Sequence, residues 1–312
     1  MKQIIVNALN RMPVLLIVVV EAAMVYLATS IAKVAFSQLD PLYSVWYRVG
    51  FMTLFLLAWR RPFSHKKRAH NSLPKTLKEW LVVVAVGISV VLMNTMFYLA
   101  ISCMAVGVAV TIEFVGPLMV AVITGKTWRE RIGIVIAACG IVLLASASMG
   151  SNESPHFLVG LVAILIGGSM WGMYIVSGRM LARGSNAIDR VSVAILIGWL
   201  LQSSVLAVPA ISHVIYPKPG ATWAAQSGGS IKLLALMVVI AICASFIPTL
   251  LDQVLLKRVS SARYSVMQAL YPAIAAVVGM GFGEVPTWID VCGMALVMLA
   301  VAITFSGDHN PA

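Results

Sequence analysis

Ten long apolar stretches fill this chain, and nearly all of its positive charge sits in alternate gaps between them. The stretches run approximately over 13–36, 41–59, 80–100, 105–124, 132–149, 158–179, 191–211, 232–256, 264–282 and 287–305. Each is close to the ~20 residues that a helix needs to cross a hydrocarbon core. In lipid every backbone N–H and C=O must be bonded within the protein, which leaves helices and closed barrels. Runs this long, without alternation of apolar and polar residues, are helical. With 61% hydrophobic and 11% charged residues, a soluble core of this size is implausible. The sequence predicts an all-α membrane protein of ten transmembrane helices, here numbered as spans 1 to 10.

The charges predict its orientation. With the N-terminus in the cytoplasm, 18 of the 22 Lys and Arg residues fall on the cytoplasmic side. Lys218 and Lys232 fall outside, and Lys33 and Arg48 lie within spans. That asymmetry is the positive-inside pattern for a multi-pass protein with both termini cytoplasmic. The net charge of +11 is therefore an insertion signal. Its dispersal over several segments argues against a nucleic-acid partner. The densest segment, Arg60-Arg61 with His65-Lys66-Lys67-Arg68, suits either a plain topology determinant or contact with anionic membrane lipids. The first run follows Lys2 and Arg11 as a signal peptide would, but it carries Glu21, continues to Phe36 and shows no convincing small-residue cleavage site. It is expected to be the first permanent helix.

Several chemistries find no support. The four cysteines form no Cys-x-x-Cys or Cys/His pattern, so neither metal nor cofactor is expected. There is no phosphate-binding loop of the Gly-x4-Gly-Lys-Ser/Thr type, no His-x-x-x-His and no Gly-x-Ser-x-Gly elbow, which argues against ATP-driven pumping and against an enzyme.

The chain divides into two sets of five spans, residues 12–150 and 157–306, that overlay at a shift of roughly 154 residues. Asn94-Thr95 then meets Pro248-Thr249, and Tyr98 meets Asp252. Glu113 and Pro117 meet Gln268 and Pro272, and Ala138-Cys139-Gly140 comes close to Val291-Cys292-Gly293. Because five is odd, the second unit must enter the membrane from the opposite face, which makes an inverted repeat. That construction supplies two interchangeable states open to opposite sides, as a carrier needs. The paired helix breaks Gly116-Pro117 and Tyr271-Pro272 point to the substrate site, although membrane helices tolerate proline generally.

A charge in hydrocarbon needs a partner, a cavity or an interface. At about 1.5 Å per residue, Arg48 lies about 10 Å and Glu113 about 12 Å from the outer face, so the two form a candidate ion pair. A carboxylate able to exchange that partner for a proton or a substrate amine is a coupling element; the alternative is a fixed pair that sets packing. Glu21, about 10 Å from the cytoplasmic end of span 1, suits an inner vestibule and matches no obvious cation. Lys33 is placed to snorkel to the headgroups or to meet a substrate carboxylate. Asp252 reads as an interfacial partner of Lys257 or Arg258. Asn94, Phe97 and Tyr98 follow at helical spacing in span 3, Trp171 and Tyr174 in span 6, and Gln268 and Tyr271 precede the span 9 break. They are the candidate cavity lining.

The segments Met93-Asn94-Thr95-Met96-Phe97-Tyr98-Leu99-Ala100 and Val108-Ala109-Val110-Thr111-Ile112-Glu113-Phe114-Val115-Gly116-Pro117-Leu118 resemble the span 3–4 signature of bacterial threonine/homoserine exporters, in the EamA-type branch of the drug/metabolite transporter superfamily. Trp171-Gly172-Met173-Tyr174-Ile175-Val176-Ser177-Gly178 and Gly283-Glu284 are similar to that group as well, and the likeness covers about residues 12–306. The resemblance implies a secondary carrier of the bacterial inner membrane that expels small amino acids in exchange for protons. Glu113 would gain and lose the proton, Arg48 would orient a carboxylate, and Asn94, Tyr98 and Trp171 would line the pathway. Relatives often carry a Glu where this chain has Tyr271, so a different or less polar solute is an open alternative. Export of other metabolites or drugs, import, and a non-transporting scaffold also stay open, as does the oligomeric state, a homodimer included.

Overall fold

The computed structural model describes residues 12–63, 73–124, 128, 131–133, 135–136, 138–140, 142–143, 156–182, 186–215, 229–258, 268, 270–283 and 285–305. Among them, six helices are long and apolar enough to cross a membrane: Val14–Ala35, Pro41–Arg60, Leu77–Ile101, Phe157–Ala182, Ala187–Ile215 and Gly229–Arg258, which are spans 1, 2, 3, 6, 7 and 8. Four shorter apolar helices, Val106–Val120, Arg131–Gly140, Leu270–Met280 and Trp288–Ala300, belong to spans 4, 5, 9 and 10. The chain is a multi-pass, all-helical membrane protein. The basic run His65-Lys66-Lys67-Arg68 and Glu284 lie outside the described residues.

Local chemistry sets several helix ends. Span 2 starts behind Asp40, whose Oδ1 accepts the Leu42 N–H at 2.8 Å, with Pro41 in the first turn. It stops at Arg61, which turns left-handed at φ 47° and donates its N–H to the Leu57 carbonyl. Span 3 opens with Thr76 accepting from the Glu79 N–H at 3.3 Å, while Glu79 accepts from the Lys75 N–H at 2.7 Å. That exchange is close to a capping box.

Bare backbone brings some spans together. A Cβ on Gly87 of span 3 would lie 2.1 Å from the Ala194 carbonyl oxygen of span 7, and one on Gly198 would lie 2.3 Å from that of Gly87. Contact this close is open only to small residues, and it substitutes for a hydrophobic driving force that is absent between helices in lipid. Trp46 clips span 2 to span 7 through its Nε1 donor to Ser203 Oγ at 2.9 Å, and the Tyr47 hydroxyl donates to the Ala210 carbonyl at 3.1 Å.

Span 3 packs along spans 6 and 7, and span 2 along spans 7 and 8. Span 1 packs along spans 8 and 9, and span 4 along spans 6 and 9. Span 5 meets span 10 where Gly140 faces Gly293. Large apolar side chains such as Leu15, Val34, Leu158, Val205 and Val208 are exposed on the outer faces, where they match the lipid. Span 8 is not uniform: Ile242–Phe246 form a π turn between the α-helices Gly229–Ala241 and Ile247–Arg258. Pro248 follows directly and cannot donate a backbone N–H back into that turn.

Candidate functional site

Span 4 is broken where its acid lies. One helix ends at Glu113, Phe114 intervenes, and a second helix runs over Val115–Thr124. Pro117 has no N–H to offer the Glu113 carbonyl four residues earlier. Gly168 of span 6 covers that oxygen instead, so closely that a Cβ on Gly168 would lie 2.6 Å from it. The carboxylate itself lies beside Gly167, with Oε1 3.4 Å from a Cβ built there. The same proline offset recurs in span 9, where Pro272 withholds an N–H from Gln268.

The span 4 break and Pro272 of span 9, where the described helix Leu270–Met280 is uninterrupted, flank a cavity of about 120 Å³ at the centre of the bundle. Glu21, Arg48, Asn94, Phe97, Glu113, Trp171, Tyr174, Gln268 and Tyr271 all line it and so come together. Tyr98 is fully buried behind Arg48, whose guanidinium carbon lies 4.4 Å from its ring centroid. Arg48 Nη2 donates to Asn94 Oδ1, and Asn94 Nδ2 donates to the Val90 carbonyl at 2.6 Å. Arg48 Nε is buried and has no hydrogen-bond partner.

No ion pair joins Glu113 to Arg48 among the described contacts. The arginine is held by Asn94 and Tyr98, which leaves the carboxylate open to the cavity. Asp252, expected at the interface, also lines the cavity, on the side of the Glu21 carboxyl. Glu21 is thus a wall of the central cavity rather than of an inner vestibule, and its neighbour is a second acid. Its Oε2 is buried and unpartnered. Lys33 does not simply reach for the headgroups; its Nζ donates to the Met104 carbonyl at 2.9 Å. It borders a second cavity of about 350 Å³, with Asp290, Met104 and Pro286, near the ends of spans 1, 3, 9 and 10.

An aromatic wall completes the central site. Trp171 stacks on Tyr271 with ring centroids 6.2 Å apart, and Phe114 meets Trp171 edge-on at 5.4 Å. Tyr26 meets Tyr271 edge-on at 5.8 Å. Tyr174 faces Asp252 from span 6. Tyr26, Thr29, Ser245, Thr249 and Asp252 also line the cavity and were not candidates from sequence. The overlay of the two halves held a signal for two of them, since it matches Thr95 with Thr249 and Tyr98 with Asp252.

A central polar cavity inside a bundle of apolar helices is the architecture of a solute carrier. The chain belongs to the EamA-like transporter family, which it matches over residues 12–151 and 158–306. It is 27% identical over 298 residues to the threonine/homoserine exporter RhtA of Escherichia coli K12, covering 94% of this chain and 92% of that protein. It is 26% identical over 295 residues to the RhtA of Salmonella typhimurium LT2, covering 93% and 92%. A crystal structure with 16% identity aligns at a TM-score of 0.57 over 92% of this chain and 94% of the other, and supports the fold. The protein is a membrane transporter and not an enzyme.

Proposed function

We propose that this chain exports small amino acids, threonine and homoserine among them, across the bacterial cytoplasmic membrane in exchange for protons. One observation carries this reading: the cavity sets an unpartnered Arg48 Nε among the acids Glu113, Glu21 and Asp252. A zwitterion needs such opposed walls, with Arg48 taking the carboxylate and Glu113 the ammonium group. The volume of about 120 Å³ favours a small solute, since pockets for drug-sized ligands run to ~300–1,000 Å³. The names of the RhtA relatives agree with this class.

The carrier works by alternating access between two inverted repeats of five helices, with both termini cytoplasmic. What supports the repeat is that the packing maps onto itself when each span is exchanged with the one five later. Contact 3·6 becomes 8·1, 3·7 becomes 8·2 and 4·6 becomes 9·1, while 2·7, 4·9 and 5·10 are their own images. The second cavity, beside Lys33, lies on the exit route. A second reading, a less polar amino acid, is favoured by the Trp171–Tyr271–Tyr26 wall.

Labelled threonine and homoserine are offered to everted vesicles whose interior is made acidic, for wild type beside Glu113→Gln. Gradient-dependent uptake that the substitution abolishes at equal expression is the expected result. A well-expressed wild type that moves neither solute would overturn the substrate assignment. Competition by larger apolar amino acids decides for the second reading.

A further inference from the structure

Several hydroxyls inside the bundle are used up by their own helix. Thr53, Ser89, Thr111 and Ser177 each donate to the carbonyl four residues earlier, at 2.6–2.8 Å. Two polar groups of span 9 are not used up in this way. Gln268 Oε1 and the Tyr271 hydroxyl are buried, on side chains 2% and 6% exposed, and neither has a hydrogen-bond partner. Both residues line the central cavity. Three positions apart on a helix, they are neighbours on one face. A buried polar atom left unpaired is costly, so the two call for a partner that the fold does not supply.

Their place in the cavity indicates that partner. Glu113 Oε1 lies 3.4 Å from a Cβ built on Gly167 of span 6. Trp171 follows one turn along that helix, about 6 Å on, and stacks on Tyr271 with ring centroids 6.2 Å apart. Tyr26 of span 1 meets the same Tyr271 ring edge-on at 5.8 Å, so the ring is held by two neighbours. A solute with its ammonium group at Glu113 and its carboxylate at Arg48 has its side chain left to run along Trp171 toward Tyr271 and Gln268. Gln268 Oε1 can only accept a hydrogen bond, whereas a phenol donates and accepts. An aliphatic side chain satisfies neither. A hydroxyl satisfies both, by donating to Gln268 and accepting from Tyr271.

We propose that Gln268 and Tyr271 form a subsite for the side-chain hydroxyl of the solute, and that this pair makes the carrier prefer hydroxylated amino acids. The inference rests on the amino-acid reading above and deepens it. A site built to bond a hydroxyl discriminates strongly against the analogue that lacks it, because the apolar analogue leaves the site's own polar atoms unpaired. Homoserine and norvaline isolate this contribution, since they differ only in a terminal hydroxyl against a methyl group. Threonine and valine differ in the same way. Thr29 Oγ1 of span 1 also lines the cavity without a partner, but it offers one atom where Gln268 and Tyr271 offer two.

Affinities for homoserine and norvaline are measured on purified wild type, Gln268→Leu, Tyr271→Phe and Thr29→Val, from the rise of melting temperature with solute concentration. Threonine and valine serve as the second pair. Wild type should bind homoserine about tenfold or more tighter than norvaline, a difference of about 1.4 kcal/mol or more. That ratio should fall about fivefold or more in Gln268→Leu and in Tyr271→Phe, and by less in Thr29→Val. The ratio is read within one protein, so a variant that folds in lower yield still reports it. A loss shared equally by both solutes, or a preference that follows Thr29 instead, overturns the proposal. A wild type that binds both solutes alike also overturns it, leaves the amino-acid reading standing and favours the less polar solute. Binding of none of the four amino acids brings the proposal down together with the reading it rests on.

Discussion

The guanidinium of Arg48 lies over the ring of Tyr98, with its carbon 4.4 Å from the ring centroid, and the phenolic hydroxyl of that tyrosine has no hydrogen-bond partner. The ring face is therefore the working part of Tyr98 and the hydroxyl is dispensable. A buried cation–π contact contributes about 2 kcal/mol or less. Tyr98→Phe should leave solute affinity and thermal stability close to wild type. Tyr98→Leu should weaken solute binding by about 3- to 30-fold, since about 1.4 kcal/mol is tenfold. Binding titrations with purified protein separate the two; equal losses in both variants would count against the ring's role.

Asn94 is the other support of Arg48, through Nη2. Asn94→Ala leaves a buried donor of a charged group unsatisfied, which costs about 1–3 kcal/mol. Melting temperature and solute affinity should both fall. The double variant Asn94→Ala with Arg48→Met removes both ends of the bond and should melt closer to wild type than Asn94→Ala does, while still failing to transport.

Legibility from sequence followed what composition can encode. The long spans were readable because hydropathy alone places them: 13–36 became Val14–Ala35, and 41–59 became Pro41–Arg60. The sequence also set Arg48 and Glu113 at similar depths, and the two line one cavity. Facing was not readable. Span 6 is apolar on all sides apart from a few positions, so nothing in its sequence says that Gly167 and Gly168 turn to Glu113. Asp252 shows the same limit. Its nearness to Lys257 and Arg258 along the chain suggested an interfacial partner, and nothing in the hydropathy shows that it also lines the cavity. The π turn at Ile242–Phe246 adds a residue to that helix and shifts its faces, a device that hydropathy does not register.

Among the described residues, two ion pairs join the end of span 2 and the start of span 3 to the start of span 7, and they should differ in weight. Arg60 Nε meets Asp189 Oδ1 at 2.6 Å, with the Asp189 side chain 1% exposed. Arg190 Nη2 meets Glu79 Oε1 at 3.2 Å, with Glu79 35% exposed. Exposed pairs contribute about 0–1 kcal/mol. Glu79→Gln should leave the melting temperature nearly unchanged. Asp189→Asn weakens a charge-assisted bond to a buried acceptor, so it should cost about 1–3 kcal/mol. High salt should not mask that second loss, because the acid is shielded from solvent.

The contact between spans 4 and 6 predicts a steep dependence on side-chain size. A Cβ on Gly116 would fall 1.6 Å from the Gly168 carbonyl oxygen, and one on Gly172 would fall 2.9 Å from that of Gly116. The obstacle at each is backbone, which cannot rotate away. At Gly178 of the same span 6 the nearest atom is 3.4 Å away and belongs to the Tyr174 ring. Gly116→Ala should therefore reduce folded protein in the membrane severely, and Gly172→Ala to a smaller degree. Gly178→Ala should be tolerated. Fluorescence-detected size exclusion of the three variants checks the order; a Gly116→Ala protein as stable as Gly178→Ala would mean that spans 4 and 6 do not lie this close.

Pro117 at the span 4 break and Pro272 at the matching place in span 9 carry a different expectation, because each leaves a carbonyl without its helical donor. Pro117→Ala returns an N–H that can bond the Glu113 carbonyl, and Pro272→Ala does the same for Gln268. Each substitution lets its span close into a more regular helix, so stability should rise or stay level. Transport should fall, because a continuous span 4 would draw the Glu113 carbonyl off Gly168 and swing the carboxylate away from the cavity. The informative result is the divergence of two readouts in one variant: an unchanged or higher melting temperature together with a transport rate lower by about tenfold, the loss that roughly 1.4 kcal/mol of misplaced contact would produce. A Pro117→Ala protein that melts lower and transports normally would assign the proline to packing and remove the break from the mechanism.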